Sequence, residues 1–173
     1  MVEVDNPMEY YARPGLRTMS TIKFNEYGIL TDGEIEVVVT EKRPDVPGKL
    51  YTPAYCFDIR LPDNPQPVGS IDLRVANTTY IVMYGGHIGY GINRKYRGNR
   101  YAAKACNLVK QVALDHGFKT LWITCNPDNY PSRRTCEILG CKLVEIVDVP
   151  KNTAMYRDGD RQKCRYKWDL ADG

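Results

Sequence analysis

Gly91-Ile92-Asn93-Arg94-Lys95-Tyr96-Arg97-Gly98-Asn99-Arg100-Tyr101-Ala102 runs from a glycine-bearing strand through a basic turn into a helix. After it, residues 99–116 place Ala102, Ala105, Cys106, Val109, Val112 and Ala113 on one face at helical spacing, and Gly117 supplies a stop. Before it, Tyr80 to Asn93 reads as further strand, interrupted by Gly85, Gly86, Gly89 and Gly91. Glycine inside a strand marks either a close ligand approach or a plain bend, and both readings stand. The opening turn of a helix offers unpaired main-chain N–H groups and the positive end of the dipole, and Arg97 and Arg100 stand at that end. Together they make a place for a diphosphate. A helix start with solvated arginines is the plainer alternative.

Outward from this stretch the chain reads as strands. Glu34 to Thr40 (EIEVVVT) is rich in β-branched residues and ends at Pro and Gly turn signals. Ala54–Leu61 and Val68–Ala76 alternate apolar and polar residues about the turn PDNPQP, which predicts an antiparallel hairpin. Phe118 to Cys125 is another strand. Asn129 or Asp128 then caps a second helix with Pro131 near its start and Gly140 at its end. Cys141–Val149 and Gln162–Leu170 complete the set. The expected class is α/β (α+β): a mostly antiparallel, twisted sheet of six to seven strands with two main helices. Residues 1–33, with Pro and Gly punctuation and no sustained period, read as an N-terminal extension, and residues 34–173 as the domain.

The chain of 173 residues fits one domain and is too short for a (β/α)₈ barrel of ~250 residues. Hydrophobic and charged contents of 43% and 26% are ordinary for a globular protein. A net charge of +3, with Lys and Arg dispersed among acids, does not describe a nucleic-acid surface, whereas a small anionic partner fits it. No signal-like or membrane-length apolar run occurs, so a cytoplasmic location is the expectation. Cys56, Cys106, Cys125, Cys136, Cys141 and Cys164 form no CxxC pair and read as reduced, mostly buried thiols, with no metal expected.

The succession GHIGYGINRKYRGNRYAAKA, helix, FKTLWITC and NPDNYPSRRTCEILGCKL resembles the GNAT family of N-acetyltransferases. The family's diphosphate motif, R/Q-x-x-G-x-G/A, falls on Arg97, Arg100 and Ala102, so Arg100 stands where the family has glycine. A first-turn helical residue has φ below zero, and on that expectation glycine is dispensable there. The family's N-x-x-S-x-x-x-x-E-x-x-G-F block matches Asn129, Ser132, Glu137 and Gly140, with Cys141 in place of the aromatic residue. The family's early helices, which wall the acceptor site, are shortened or absent.

The resemblance implies a site. Strands around Ile88 and Trp122 splay apart, and the pantetheine of acetyl-CoA lies in the gap, paired with main chain near Ile92 and Arg94. Arg97, Gly98, Asn99, Arg100, Tyr101 and Ala102 hold the diphosphate, with Asn129 and Ser132 also on the coenzyme. Main-chain N–H groups from Tyr90 to Ile92 hold the oxyanion. His87 stands where relatives place a glutamate, and an imidazole of pKa ~6.5 can accept a proton; a strand-end histidine is the bland reading. Cys136 replaces the family's tyrosine acid or is a small core residue, and Tyr90, Tyr84 and Tyr130 are rival proton donors. Asp72 and Arg74 share a strand face and either bind substrate or form a cross-strand ion pair. The implied reaction is direct acetyl transfer to an amine of a small molecule or peptide, by a monomer or homodimer without a metal. A catalytically silent acyl-CoA-binding or regulatory module is the alternative.

Overall fold

The computed structural model describes residues 22–45 and 52–172. Within them eight strands form two antiparallel sheets. The first has the order β1 (Leu30–Thr31), β2 (Glu36–Arg43), β3 (Ala54–Arg60), β4 (Gly69–Arg74), β5 (Ile88–Ile92). The second has the order β6 (Thr120–Cys125), β8 (Gln162–Asp169), β7 (Lys142–Asp148). Two main helices, α1 (Tyr101–Asp115) and α2 (Tyr130–Ile138), and the single turn α3 (Ala154–Arg157) complete the architecture.

Alternation decides which way each strand faces. Ile71 and Leu73 on β4 and Leu121, Ile123 and Cys125 on β6 are buried, while their neighbours are not. Helix α1 lies against β1, β2, β4 and β5. Its buried face is built of Ala102, Ala105, Cys106, Val109, Val112 and Ala113, small enough to seat the helix closely on the sheet face that carries Ile71 and Leu73. Gly117, at φ +81, ends it as expected.

Four expectations need correction or restatement. Tyr80 to Gly86 is not strand: the hydroxyl of Thr78 accepts from Ile81 N–H at 3.3 Å and its carbonyl from Val82 N–H at 3.0 Å, starting a π-helical turn at Ile81–Gly85. The core reaches upstream of residue 34, because Ile22, Phe24, Tyr27 and Leu30 pack on it and β1 pairs with β2; residues 1–21 lie outside the described residues. No helix occurs among the described residues between β2 and β3, but 46–51 lie outside them. Finally, the expected splay goes as far as a full break, which divides the strands into two sheets between β5 and β6.

β7 is the outer edge of the second sheet. Leu143, Val144 and Ile146 are each close to half exposed, and the ladder with β8 slips by one residue at Val144, a β-bulge.

Candidate active site

The break between the sheets is a fork. Arg74 N–H bonds to His87 O at 2.8 Å and Asn93 N–H to Val68 O at 2.8 Å, so on β5 the odd-numbered residues face β4. The N–H groups of Tyr90 and Ile92 therefore face the gap, and neither has a hydrogen-bond partner among the described residues. Across the gap, Leu170 N–H bonds to Lys119 O, which turns Trp122 and Thr124 main chain towards β5. The two edges meet at one place. His87 N–H donates to Trp122 O at 2.7 Å, and Trp122 N–H donates to His87 Nδ1 at 2.9 Å. Beyond that contact the strands part, at the position expected for Ile88 and Trp122.

The turn before β5 fastens the two sheets beneath the fork. Arg74 Nη1 donates to the carbonyls of Gly86 (3.0 Å) and Gly85 (3.3 Å), and Thr124 Oγ1 donates to Tyr84 O at 2.7 Å. From β8, Arg165 Nε donates to Val82 O at 3.0 Å while its guanidinium lies over the Trp122 ring and pairs with Glu145. Gly86 has φ +69, and a Cβ there would sit 3.1 Å from Thr124 N, so the close approach needs glycine. Arg74 is thus a fastener rather than an ion-pair partner of Asp72. Asp72 instead stands opposite Cys56 across β3 and β4, and burial first and then Asp72 push that thiol up to about 11.

At the far end of β5 the basic turn takes the form of a cradle. A 3₁₀ turn spans Arg94–Tyr96, Arg97 Nε donates to Ile92 O at 2.9 Å, and Asn99 Nδ2 donates to Tyr96 O at 3.0 Å. Gly98 has φ +89 and Arg100, the residue before α1, has φ +60. The expectation that Arg100 sits at negative φ is overturned: it occupies the left-handed region that glycine adopts freely. No side chain caps α1, and the N–H groups from Gly98 to Ala103 have no hydrogen-bond partner among the described residues. Arg94, Arg97 and Arg100, all exposed, belong to the same turn. An anion held by main-chain donors and guanidinium groups fits this set. A groove of about 470 Å³, lined by Gly69, Ser70, Gly91, Ile92, Arg94 and Arg97, lies beside the cradle. A Cβ at Gly91 or Gly98 would meet nothing within 4 Å, so both leave room for an occupant.

The remaining expected residues sit on the inner side of the gap. Asn129 caps α2, its Oδ1 accepting from Ser132 N–H at 3.2 Å. Tyr90 reaches across to Ser132, with 2.9 Å between the hydroxyls. Burial, then the neighbouring Cys136 and Cys106, hold the Tyr90 phenol far above its ordinary range, so it keeps its proton at neutral pH. Cys136 is fully buried; its contact with the Cys141 thiol and then burial push it strongly upward. All six cysteines are free thiols.

His87 stands apart from this group. It is fully buried, edge-on to the Phe118 ring at 5.3 Å. A ring nitrogen that accepts from Trp122 N–H carries no proton, so the tautomer is Nε2–H, and Nε2 is buried without a partner. Burial and then the Arg74 charge lower it to about 4. Such a ring is badly placed to take a proton from an amine. Tyr84 and Tyr130, the other rivals, are not among the Tyr90, Ser132 and Cys136 group: Tyr84 lies in the fastening turn, and Tyr130 is well exposed at the start of α2.

Three pairings at the site escaped sequence reasoning. Trp122 is the hydrogen-bond counterpart of His87, Cys125 lies beside Ser132, and Gly69 backs β5, where a Cβ would meet Gly91 O at 2.3 Å. Only the glycine left a sequence signal, at the start of an alternating strand.

Comparison with known proteins agrees with this geometry. The profile described as an acetyltransferase (GNAT) domain matches residues 16–142, well over half of the chain. An uncharacterized N-acetyltransferase of Bacillus subtilis (strain 168), YnaD, is 25% identical over 162 residues, covering 87% of this chain and 76% of the relative. A probable GNAT-family acetyltransferase of Chromobacterium violaceum ATCC 12472 shares the fold at TM-score 0.59 and 13% identity, over 92% of this chain and 94% of that one. The microcin C7 self-immunity acetyltransferase MccE, solved with acetyl-CoA and AMP, aligns at TM-score 0.51 and 19% identity, over 67% of this chain and 61% of that one. With a forked pair of sheets, a bare helix start at the fork's open end and a family profile spanning most of the sequence, this chain belongs to the GNAT acetyltransferase family, whose co-substrate is acetyl-CoA.

Proposed function

We propose that the chain transfers the acetyl group of acetyl-CoA directly to an amine of a small molecule or peptide. The observation that carries this reading is the pair of unpaired main-chain donor sets, Tyr90 and Ile92 in the gap and Gly98–Ala103 at the helix start. The first pair would orient the thioester arm and its carbonyl oxygen, and the second set, with Arg94, Arg97 and Arg100, would hold the diphosphate. Asn129 serves through its cap, which fixes Ser132 beside Tyr90.

In the transfer a C–N bond forms and the C–S bond breaks. The departing sulfur takes a proton from the Tyr90 hydroxyl, and the proton lost by the amine restores it. Tyr90 is placed for the task because its hydroxyl meets Ser132 beside the gap, whereas Cys136 is fully buried.

Incubation with acetyl-CoA and a panel of primary amines, polyamines, aminoglycosides and short peptides tests the proposal. Release of free thiol that depends on one acceptor, with a mass gain of one acetyl group, is expected. Saturable acetyl-CoA binding with no acceptor-dependent thiol would leave a binding module instead. Arg97→Ala should weaken acetyl-CoA about tenfold, the worth of one charge-assisted hydrogen bond, and weaken a fragment lacking the diphosphate much less.

A further inference from the structure

His87 is spent on Trp122, and this pairing has a geometry that ordinary strand neighbours lack. Main-chain N–H of His87 meets main-chain O of Trp122, but the return bond from Trp122 N–H goes to an imidazole nitrogen and not to a carbonyl. The carbonyl of His87 is already taken by Arg74 N–H. One residue therefore bonds to β4 through its carbonyl and to β6 through both its amide and its ring. It ties the first sheet to the second at the vertex of the fork.

We infer that His87 is a positioning residue: its Nδ1 fixes Trp122 main chain and thereby sets where the gap between β5 and β6 begins to open, which decides how deep the thioester arm of the donor can enter. The inference rests on the proposal that this arm lies in the gap, and it assigns the imidazole no proton transfer. Three observations support it. The ring is fully buried and edge-on to Phe118, so it cannot swing away. Nε2 has no partner, so the desolvated ring is kept for what Nδ1 does. Tyr90, the first gap-facing residue with a role in the chemistry, is three residues beyond His87, on the strand that His87 leads into, so a shift at the vertex passes along it.

The test uses the full chain, with acetyl-CoA and adenosine 3′,5′-bisphosphate as separate probes. His87→Asn keeps an acceptor, since Asn Oδ1 occupies the place of Nδ1, whereas His87→Ala removes it. The alanine variant is expected to speed hydrogen exchange at the Trp122 amide and to weaken acetyl-CoA about tenfold, leaving the bisphosphate, which has no thioester arm, within twofold of wild type. The asparagine variant should restore both readings. Equal loss for both probes in a folded alanine variant, or an asparagine variant no better than alanine, overturns the inference. Should alanine fail to fold, Gln replaces it, because its oxygen falls one atom beyond Nδ1; Asn and Gln behaving alike would again overturn it. If wild-type protein does not bind acetyl-CoA at all, the proposed function fails first, and the Trp122 amide alone still reports whether His87 holds the vertex.

Discussion

The Tyr90 hydroxyl lies 2.9 Å from Ser132 Oγ, so one side chain spans from the inner edge of β5 to the first turn of α2. This bridge links the first sheet to the helix that packs on β6 of the second. Tyr90→Phe keeps the ring and removes the proton. Steady-state kinetics with the acceptor found by screening should show turnover down about a hundredfold, in the range for a lost general acid, with acetyl-CoA affinity changed little. An unaltered turnover would take Tyr90 out of the chemistry.

Arg100 pays a conformational cost for its place before α1. A non-glycine residue at φ +60 is disfavoured by roughly 1 kcal/mol or more, and no side-chain cap offsets it. Arg100→Gly should therefore hold or raise stability by up to about 1 kcal/mol in chemical denaturation. Arg100→Val, β-branched and worse suited to that region, should lower it by about 1–2 kcal/mol. If valine were as stable as glycine, the left-handed geometry would not describe the protein in solution.

Gly69 has no room for a methyl group, because a Cβ would lie 2.3 Å from Gly91 O and 2.9 Å from Ile92 Cδ1. Gly69→Ala must push β5 aside, at a cost of about 1–3 kcal/mol. Since Ile92 and Gly91 line the groove beside the cradle, thermal melting and donor titration should deteriorate together. Gly91→Ala, which meets nothing within 4 Å, is the matched control for stability.

His87 also predicts a pH dependence. Burial, then Arg74, holds its folded-state value near about 4, below the ordinary ~6.5 of the unfolded chain. Between those values the unfolded state binds more protons, so stability rises with pH; it is full above about 6.5 and is lost as pH falls towards 4. From pH 7.5 to pH 5 the loss assignable to this ring is about 2 kcal/mol. His87→Asn should lose that much less over the same interval in parallel denaturation curves. Identical slopes for the two proteins would mean that the ring is not held neutral.

Elements with a strong local signature were legible in the sequence: the α1 face, its Gly117 stop, the 54–74 hairpin and the Asn129 cap all follow from periodicity or from a side chain bonding to its own neighbourhood. The fork was legible only through family resemblance. Trp122 and His87 are 35 residues apart, and nothing local says that an imidazole will stand in for a carbonyl. Apolar β-prone residues at Ile81 and Val82 masked the Thr78 cap that makes a turn of them. The angle at Arg100 was missed because a first-turn position was assumed where the chain is still entering the helix.

On β7 the bulge at Val144 has an effect on company. Leu143, Val144 and Ile146 leave an oily border on the outside of the second sheet, and a smooth border of that kind recruits stray strands from other chains. One misfit residue breaks the regular spacing that an intruder would have to match. Deleting Val144 would straighten the border, and a protein that had stayed dispersed would begin to clump.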